Sequence, residues 1–481
     1  MSFGLLDTEI EKIQQVFETN TKVDKAFVFG SRAKGNYKEG SDIDIAIKGN
    51  ELNFSDVRSL LGMLDELNLI YDIDLLDYDK IKEPALKEHI DRVGIEFYSR
   101  WKEIQLRDIS SDISYGYTAS AASENIGPKF LRITDITSGR VNWEAVPYCK
   151  ISEKDHQKYK LSSGDIVIAR TGATTGFNST IKDDIDAVFA SYLIRFQIDS
   201  QKADPFYVGY VLQSSFFQDY VDAIAGGSAQ PGANAQQFAD YEFLLPSLQE
   251  QTAIASILSS LDDKIDLLHR QNKTLEQLAE TLFRKWFVEE AEESWEEKSL
   301  PEIADYLNGL ALQKYPAKID YLPVIKIREM KQGISENTDK CSREIPKQYI
   351  IHDGDVLFSW SGSLEVVLWS GGEGALNQHL FKVTSKVYPK WFYYLATKHH
   401  LNDFKTIAES KSTTMGHIQR EHLNQAMISI PLKEMFKQYD ERIAPIIDKQ
   451  IENNKQIRSL TQTRDTLLPK LMSGEVRVSE L

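Results

Sequence analysis

Asp42 and Asp44 flank Ile43, Asp74 sits in a later apolar run, and Gly30-Ser31 precedes Asp42 with ten residues between. In Ser41-Asp42-Ile43-Asp44-Ile45-Ala46-Ile47, acid and aliphatic residues alternate, which puts both carboxylates on one face of a strand. Tyr71-Asp72-Ile73-Asp74-Leu75-Leu76 repeats the pattern. Carboxylates on neighbouring strands can hold two divalent ions, which clamp the attacking and leaving oxygens in phosphoryl transfer. A Gly-Ser turn that opens a helix offers backbone N–H groups and a hydroxyl to a triphosphate. Arg32 adds a charge-assisted phosphate contact. The competing reading makes Asp42 and Asp44 the solvent face of an edge strand, and it would prevail for an isolated Asp-x-Asp.

The elements that must hold these residues are legible nearby. Leu6, Ile10, Ile13 and Phe17 recur at helical spacing, and Ala26-Phe27-Val28-Phe29 is a short apolar run typical of a buried strand before the Gly30 turn. Taken together, residues 5–98, closing on Gly94-Ile95-Glu96-Phe97-Tyr98, resemble the minimal nucleotidyltransferases. The resemblance implies transfer of a nucleoside monophosphate from an NTP, with Asp42, Asp44 and Asp74 as catalytic Mg²⁺ ligands and Gly30, Ser31 and Arg32 binding the nucleotide. A unit this small lacks its own acceptor-binding domain, so the acceptor must come from elsewhere.

At 481 residues the chain exceeds one core, and about three or four domains are expected. No apolar run approaches the length that spans a bilayer, and the start lacks a signal-peptide pattern, so a cytoplasmic location is expected. Cys149 and Cys341 have no metal-site spacing around them and read as buried or idle thiols. The net charge of −16 argues against tight DNA binding by this chain alone. Residues 1–100 hold 13 Lys/Arg against 20 Asp/Glu, so much of the excess sits at the front. Partner subunits that carry phosphate contacts would remove the conflict.

Beyond residue 100 the sequence says much the same thing twice. Trp101-Lys102-Glu103-Ile104 opens one unit and Trp295-Glu296-Glu297-Lys298 another; Gly164-Asp165-Ile166-Val167 returns as Gly354-Asp355-Val356-Leu357. Such a repeat means two copies of a domain. Each copy ends on a heptad-patterned helix. Ile254, Leu258, Leu261, Ile265, Leu268, Asn272, Leu275, Ala279, Leu282 and Trp286 form one seam; the other runs from Tyr439 through Ile443, Ile446, Gln450 and Asn453 to Leu471. An antiparallel coiled coil fits a chain that returns on itself, with Asn272, Gln450 and Asn453 fixing register. Pro445 marks a helix start or a kink. The span from Ile254 to Trp286 measures roughly 50 Å at about 1.5 Å per residue. Domains at its ends would meet DNA a little over one turn (about 34 Å) apart.

These repeats resemble the specificity (S) subunit of type I restriction–modification systems. The resemblance rests on Gly164-Asp165-Ile166-Val167-Ile168-Ala169-Arg170-Thr171-Gly172, Gly227-Ser228-Ala229-Gln230-Pro231-Gly232, Leu245-Pro246-Ser247-Leu248-Gln249-Glu250-Gln251 and Leu467-Leu468-Pro469-Lys470-Leu471-Met472-Ser473-Gly474-Glu475. It implies two target-recognition domains that read double-stranded DNA, helices that recruit two modification (methyltransferase) subunits, and motor/endonuclease subunits that join them. S-adenosylmethionine and ATP would then be bound by those partners, and the S-like region itself would be non-catalytic. The second repeat departs from the first, with Phe358-Ser359-Trp360-Ser361-Gly362 for Ala169-Arg170-Thr171-Gly172 and a different loop around His417. The two half-sites should therefore differ. Arg170, Thr171, Thr174, Gln230, Asn234, Ser359 and His417 are candidate DNA contacts, each competing with a structural turn role.

The expected architecture is an α/β multidomain (α+β) chain. Residues 1–100 form a nucleotidyltransferase-like domain, 101–245 the first target-recognition domain and 246–290 a spacer helix. Residues 291–430 form the second recognition domain, 431–472 the second spacer helix and 473–481 a tail. The expected function is a DNA-specificity subunit carrying a fused transferase. The alternative makes the transferase the active principle, an AMP-transferring regulator or antitoxin for which the S-like region is a scaffold.

Overall fold

The computed structural model describes every residue except 1–2, 21, 39, 50, 138–140, 227–231, 411–415 and 479–481. The chain divides into two compact units, one of residues 1–257 with 467–481 and one of residues 258–466.

In the first unit, residues 3–99 build a four-stranded sheet in the order Ile73–Asp77, Ile43–Gly49, Val23–Val28, Ile95–Ser99. Ile43–Gly49 runs parallel to Ile73–Asp77 and antiparallel to Val23–Val28. Helix Asp7–Glu18 buries Ile13, Val16 and Phe17, and helix Phe54–Asp65 buries Leu60 and Leu64. Asn53 caps the latter by accepting from the Ser55 and Asp56 amides.

The two repeats have the same internal plan, each within its own unit. Strand Lys102–Gln105 pairs antiparallel with Glu242–Leu245, and Glu296–Ser299 with Met427–Ile430, so the first strand of each repeat closes on its last. The first central sheet is ordered Ser110–Tyr115, Leu193–Ile198, Ile166–Ala169, Asn178–Thr180. The second is ordered Asp305–Asn308, Leu380–Thr384, Val356–Ser359, Val366–Leu368. Burial on both faces explains why Ile166–Ala169 and Val356–Ser359 are unbroken apolar or small-residue runs. The repeats diverge in the smaller sheet. The first has two parallel strands, whereas the second adds Lys340–Ser342 and Ile350–Ile351 to the corresponding pair. Cys149 and Cys341 are fully buried free thiols, and burial pushes both pKa values up.

Helices Leu248–Arg284 and Lys433–Ser473 are 37 and 41 residues long. Within the second unit they run antiparallel. Trp286 stacks on Tyr439 with ring centroids 4.4 Å apart, Asn272 accepts from Asn453 at 3.0 Å, and Arg464 pairs with Asp262 at 3.0 Å. The seam's polar layer is connected: Asn272 Nδ2 donates to Asn454 Oδ1 at 2.6 Å, and Gln450 donates to the Asn272 carbonyl at 3.3 Å. A network of this kind tolerates one register, since a slip would strand buried amides. Pro445 neither starts nor ends a helix; Lys433–Ser473 continues through it. Pro445 and Glu441, whose carbonyl loses its usual partner, are both exposed, so water can serve that carbonyl.

The transferase-like domain is joined to the first repeat by more than a peptide bond. The Arg100 amide donates to the Asp24 carbonyl at 2.8 Å, and the Arg100 guanidinium pairs with Glu250 at 3.2 Å. Trp101 Nε1 also donates to Glu250, at 3.3 Å. After Ser473 the tail turns at Gly474, lies against the Trp101 ring and brings Arg477 into an ion pair with Asp24. Truncation after Ser473 is therefore expected to raise amide exchange at least about tenfold around residues 99–102, measured by hydrogen exchange of the full-length and shortened chains. Equal protection in both would contradict the strap.

Candidate functional site

The nucleotidyltransferase-like cluster is built from strand register. Asp44 lies directly opposite Asp74 across the parallel pair, and Asp42 stands just before the strand, near enough for its charge to act on Asp44. Asp42 and Asp74 are exposed and Asp44 is half-buried. The Asp44 carboxyl has its pKa raised, first by burial, then by the like charges of Asp74 and Asp42, against the opposing pull of Arg32 and His89. Among the described residues no hydrogen-bond donor serves these three carboxylates, and no three His, Cys, Asp or Glu side chains form a ready-made metal cage. The cluster is thus a looser acidic set whose repulsion a divalent cation would relieve. Its donors are all hard oxygens, which suits Mg²⁺.

Gly30 is required twice. Its φ is +71°, and a Cβ there would stand 2.1 Å from Asp44 Oδ2. The turn therefore presses the backbone of Gly30 onto the carboxylate, with Ser31 next to it at the start of the short helix Gly30–Ala33. Gly30→Ala is expected to displace Asp44 and lower nucleotide transfer by roughly 10–100-fold, the cost of about 1–3 kcal/mol of strain. Label transfer from NTP by wild type and variant measures it.

Arg32, a candidate nucleotide contact, is anchored within the fold beside the acidic cluster. It is buried, and its guanidinium donates to the carbonyls of Phe3 at 2.8 Å, Ser41 at 2.6 and 3.1 Å, and Asp42 at 3.1 Å. The Tyr71 ring lies 4.2 Å from it. These bonds make Arg32 a pin for the loop that carries Asp42. The sequence shows a basic residue after Gly-Ser; it does not show three carbonyls converging on it. His89, on helix Pro84–Val93, lies near enough to lower the Asp44 pKa and was not signalled by any motif.

The candidate DNA contacts separate by environment. Ser359 is fully buried, donating to the Ser363 carbonyl and accepting from the Glu365 amide, so it serves a turn. Asn234 caps helix Ala235–Ala239 by accepting from Gln237 N. Thr174 ends a single helical turn, Gly172–Thr174. Thr171 forms a bridge with Gly232, and Ser361 forms the corresponding bridge with His417. Gln230 lies outside the described residues. Arg170 stands apart: its Nε donates to the Ser191 carbonyl at 3.1 Å, its guanidinium lies over the Tyr115 ring at 5.2 Å, and no protein partner takes its terminal nitrogens among the described residues.

A small acidic αβ domain, two domains of like plan and two long helices make up the chain. Comparison with known proteins gives the class of each module. The family model for the type I restriction modification DNA specificity domain matches residues 98–277 and 292–462, and that for polymerase beta-type nucleotidyltransferases matches residues 11–103. The chain therefore belongs to the type I restriction–modification DNA specificity family and carries a nucleotidyltransferase domain at its front. It is 26% identical over 350 residues to a type I restriction enzyme specificity subunit of Methanocaldococcus jannaschii, covering 66% of this chain and 76% of that protein. A candidate protein adenylyltransferase of the same organism is 30% identical over 84 residues, 17% of this chain and 84% of that protein. The fold is shared with a type I S subunit from M. genitalium at TM-score 0.50 and 16% identity, over 77% of this chain and 96% of the other. Among the described residues no helix is long and apolar enough to cross a membrane.

Proposed function

We propose that this chain is the sequence-reading subunit of a type I restriction–modification complex. Its two repeats each read one half of an asymmetric bipartite site in double-stranded DNA. The paired helices set the interval and recruit two modification subunits, which a motor/endonuclease subunit joins; S-adenosylmethionine and ATP belong to those partners. The observation that carries this reading is the duplicated domain plan with unlike residues at corresponding loops: Arg170-Thr171 with Gly232 in one, Trp360-Ser361 with His417 in the other. Central sheets of one plan with unlike tips suit a target in two unlike halves. The negative net charge fits a subunit whose phosphate contacts are shared with partners. Selection from a randomised duplex library by the chain bound to its modification subunit is expected to enrich one sequence with two defined halves. Enrichment of a single continuous or palindromic sequence would overturn the reading.

The front domain supports a second activity, transfer of a nucleoside monophosphate from NTP to an acceptor supplied from outside residues 1–100. Asp42, Asp44 and Asp74 would hold Mg²⁺, while Gly30 and Ser31 would face the triphosphate. When bound, the metal supplies charge neutralisation at the phosphate oxygens. Asp44, opposed by Asp74 and pressed by Gly30, carries this part of the reading. Incubation with α-labelled NTP and Mg²⁺ tests it, with Asp42→Ala/Asp44→Ala as control. Absence of metal-dependent label on any co-purified subunit or nucleic acid would leave the domain a structural module.

A further inference from the structure

Register places corresponding residues of the two repeats at the same sheet end. Ile168 pairs with Ile194 and Ile194 with Tyr115; Phe358 pairs with Phe381 and Phe381 with Asn308. Tyr115 and Asn308 are thus equivalent, as are Arg170 and Trp360, and Tyr192 and His379. The backbone repeats the match: Ala233 N donates to the Arg170 carbonyl and Ile418 N to that of Trp360, each at 3.0 Å. Gly116 and Gly309 follow Tyr115 and Asn308, and each passes so close to the neighbouring backbone that a Cβ would meet a carbonyl oxygen at 2.2–2.3 Å. The scaffold is held constant down to these close approaches, while the three side chains it presents all differ.

The chemistry of each set is distinct. In the first repeat, Tyr115 and the Ser191 carbonyl brace the Arg170 guanidinium, and Tyr192 beside it is 58% exposed. A pre-oriented guanidinium whose terminal nitrogens have no partner among the described residues matches the O6/N7 edge of guanine. In the second repeat, Trp360 Nε1 donates to Asn308 Oδ1 at 2.9 Å, and its ring lies 5.9 Å from that of His379. His379 is anchored in turn by Ser361 at 3.1 Å. An indole fixed by its only donor and half-buried against the core of its repeat leaves only part of its apolar ring to face outward, the complement of a thymine methyl.

We propose that this sheet end is the base-reading patch of each repeat, with Arg170, supported by Tyr115 and Tyr192, reading a G·C pair, and Trp360, held by Asn308 and His379, reading an A·T pair through the thymine methyl. The proposal rests on the DNA-specificity reading above. Library selection with the chain in complex with its modification subunit distinguishes the two. A bipartite motif from wild type upholds the specificity reading; its absence overturns both. Given that motif, Arg170→Ala is expected to relax one G·C position in one half-site by roughly tenfold or more and leave the other half unchanged. Trp360→Ala is expected to relax an A·T position in the opposite half. Arg170→Lys and Trp360→Phe, which keep charge and ring, provide milder versions; relaxation confined to the same positions supports the assignment. Uniform weakening across all sequences would make Arg170 a phosphate contact and overturn it, as would motifs unchanged from wild type.

Discussion

Asp44→Asn is expected to abolish metal-dependent nucleotide transfer and, at neutral pH without divalent cations, to make the front domain more stable than wild type. Both effects come from one arrangement. Burial and the charges of Asp74 and Asp42 raise the Asp44 pKa above its ordinary carboxylate value. For an acid whose pKa is higher folded than unfolded, the folded state holds the extra proton in the window just above the usual carboxylate range. Stability therefore falls as pH rises through that window, and at pH 7 the ionised carboxylate opposes folding. A neutral amide removes the repulsion. It also removes a charged oxygen from the metal set, which is expected to slow transfer by about 10³-fold or more, close to 4 kcal/mol of transition-state stabilisation. Two measurements check the pair: label transfer from NTP, and hydrogen exchange of strands Val23–Val28 and Ile43–Gly49 in the full chain with and without Mg²⁺. Mg²⁺ should protect wild type and leave the variant unchanged. A variant that is inactive but less protected than wild type would mean that Asp44 holds the fold and not the ion.

Phe287→Ala is expected to be the most damaging single change in the second unit. Phe287 sits in the π-helical turn Lys285–Glu289 that ends the first long helix, and its ring is 1% exposed. Ring centroids of Phe283, Phe392, Tyr439 and Trp391 lie 4.8, 5.1, 5.5 and 5.9 Å away. One side chain thus joins the first long helix, the second long helix and helix Lys390–His399 of the repeat, all within a single core cluster. Truncation removes buried aromatic surface and leaves a cavity that three separate elements cannot easily close, a loss of roughly 3–5 kcal/mol. For a unit of about 200 residues that corresponds to a fall in Tm of about 10 °C. Phe287→Leu, which keeps most of the volume, is expected to lose much less. Calorimetry of both variants decides it; a shift of under about 2 °C for the alanine variant would show that the cluster repacks.

Local pattern carried much of this architecture into the sequence. Alternation of acid and aliphatic residues marked the strand that carries Asp44, and heptad spacing from Ile254 to Trp286 gave a long helix whose marked positions are all buried or half-buried. Features set by convergence of distant segments were illegible. Arg32 follows Gly30-Ser31 as a phosphate ligand would, yet its partners come from residues 3, 41 and 42. Pro445 reads as a helix start or a kink because its missing donor is visible in the sequence, whereas the turns before it that keep Lys433–Ser473 one helix are set by packing. Tyr115 and Asn308 lie 193 positions apart in sequence and become equivalent only once each is known to pair with the strand that follows Tyr192 or His379. Ser359 looked available because its type is polar; its position at the end of a buried strand made it a turn residue.

The duplicated scaffold with unlike tips is the centre of the account, and methylation of a genome reads it directly. Single-molecule methylome sequencing of a host that expresses this chain with its modification subunit is expected to show one asymmetric motif, two unlike defined halves separated by an unspecified interval of fixed length. A palindromic motif, a continuous one, or no motif beside an active modification subunit would contradict it.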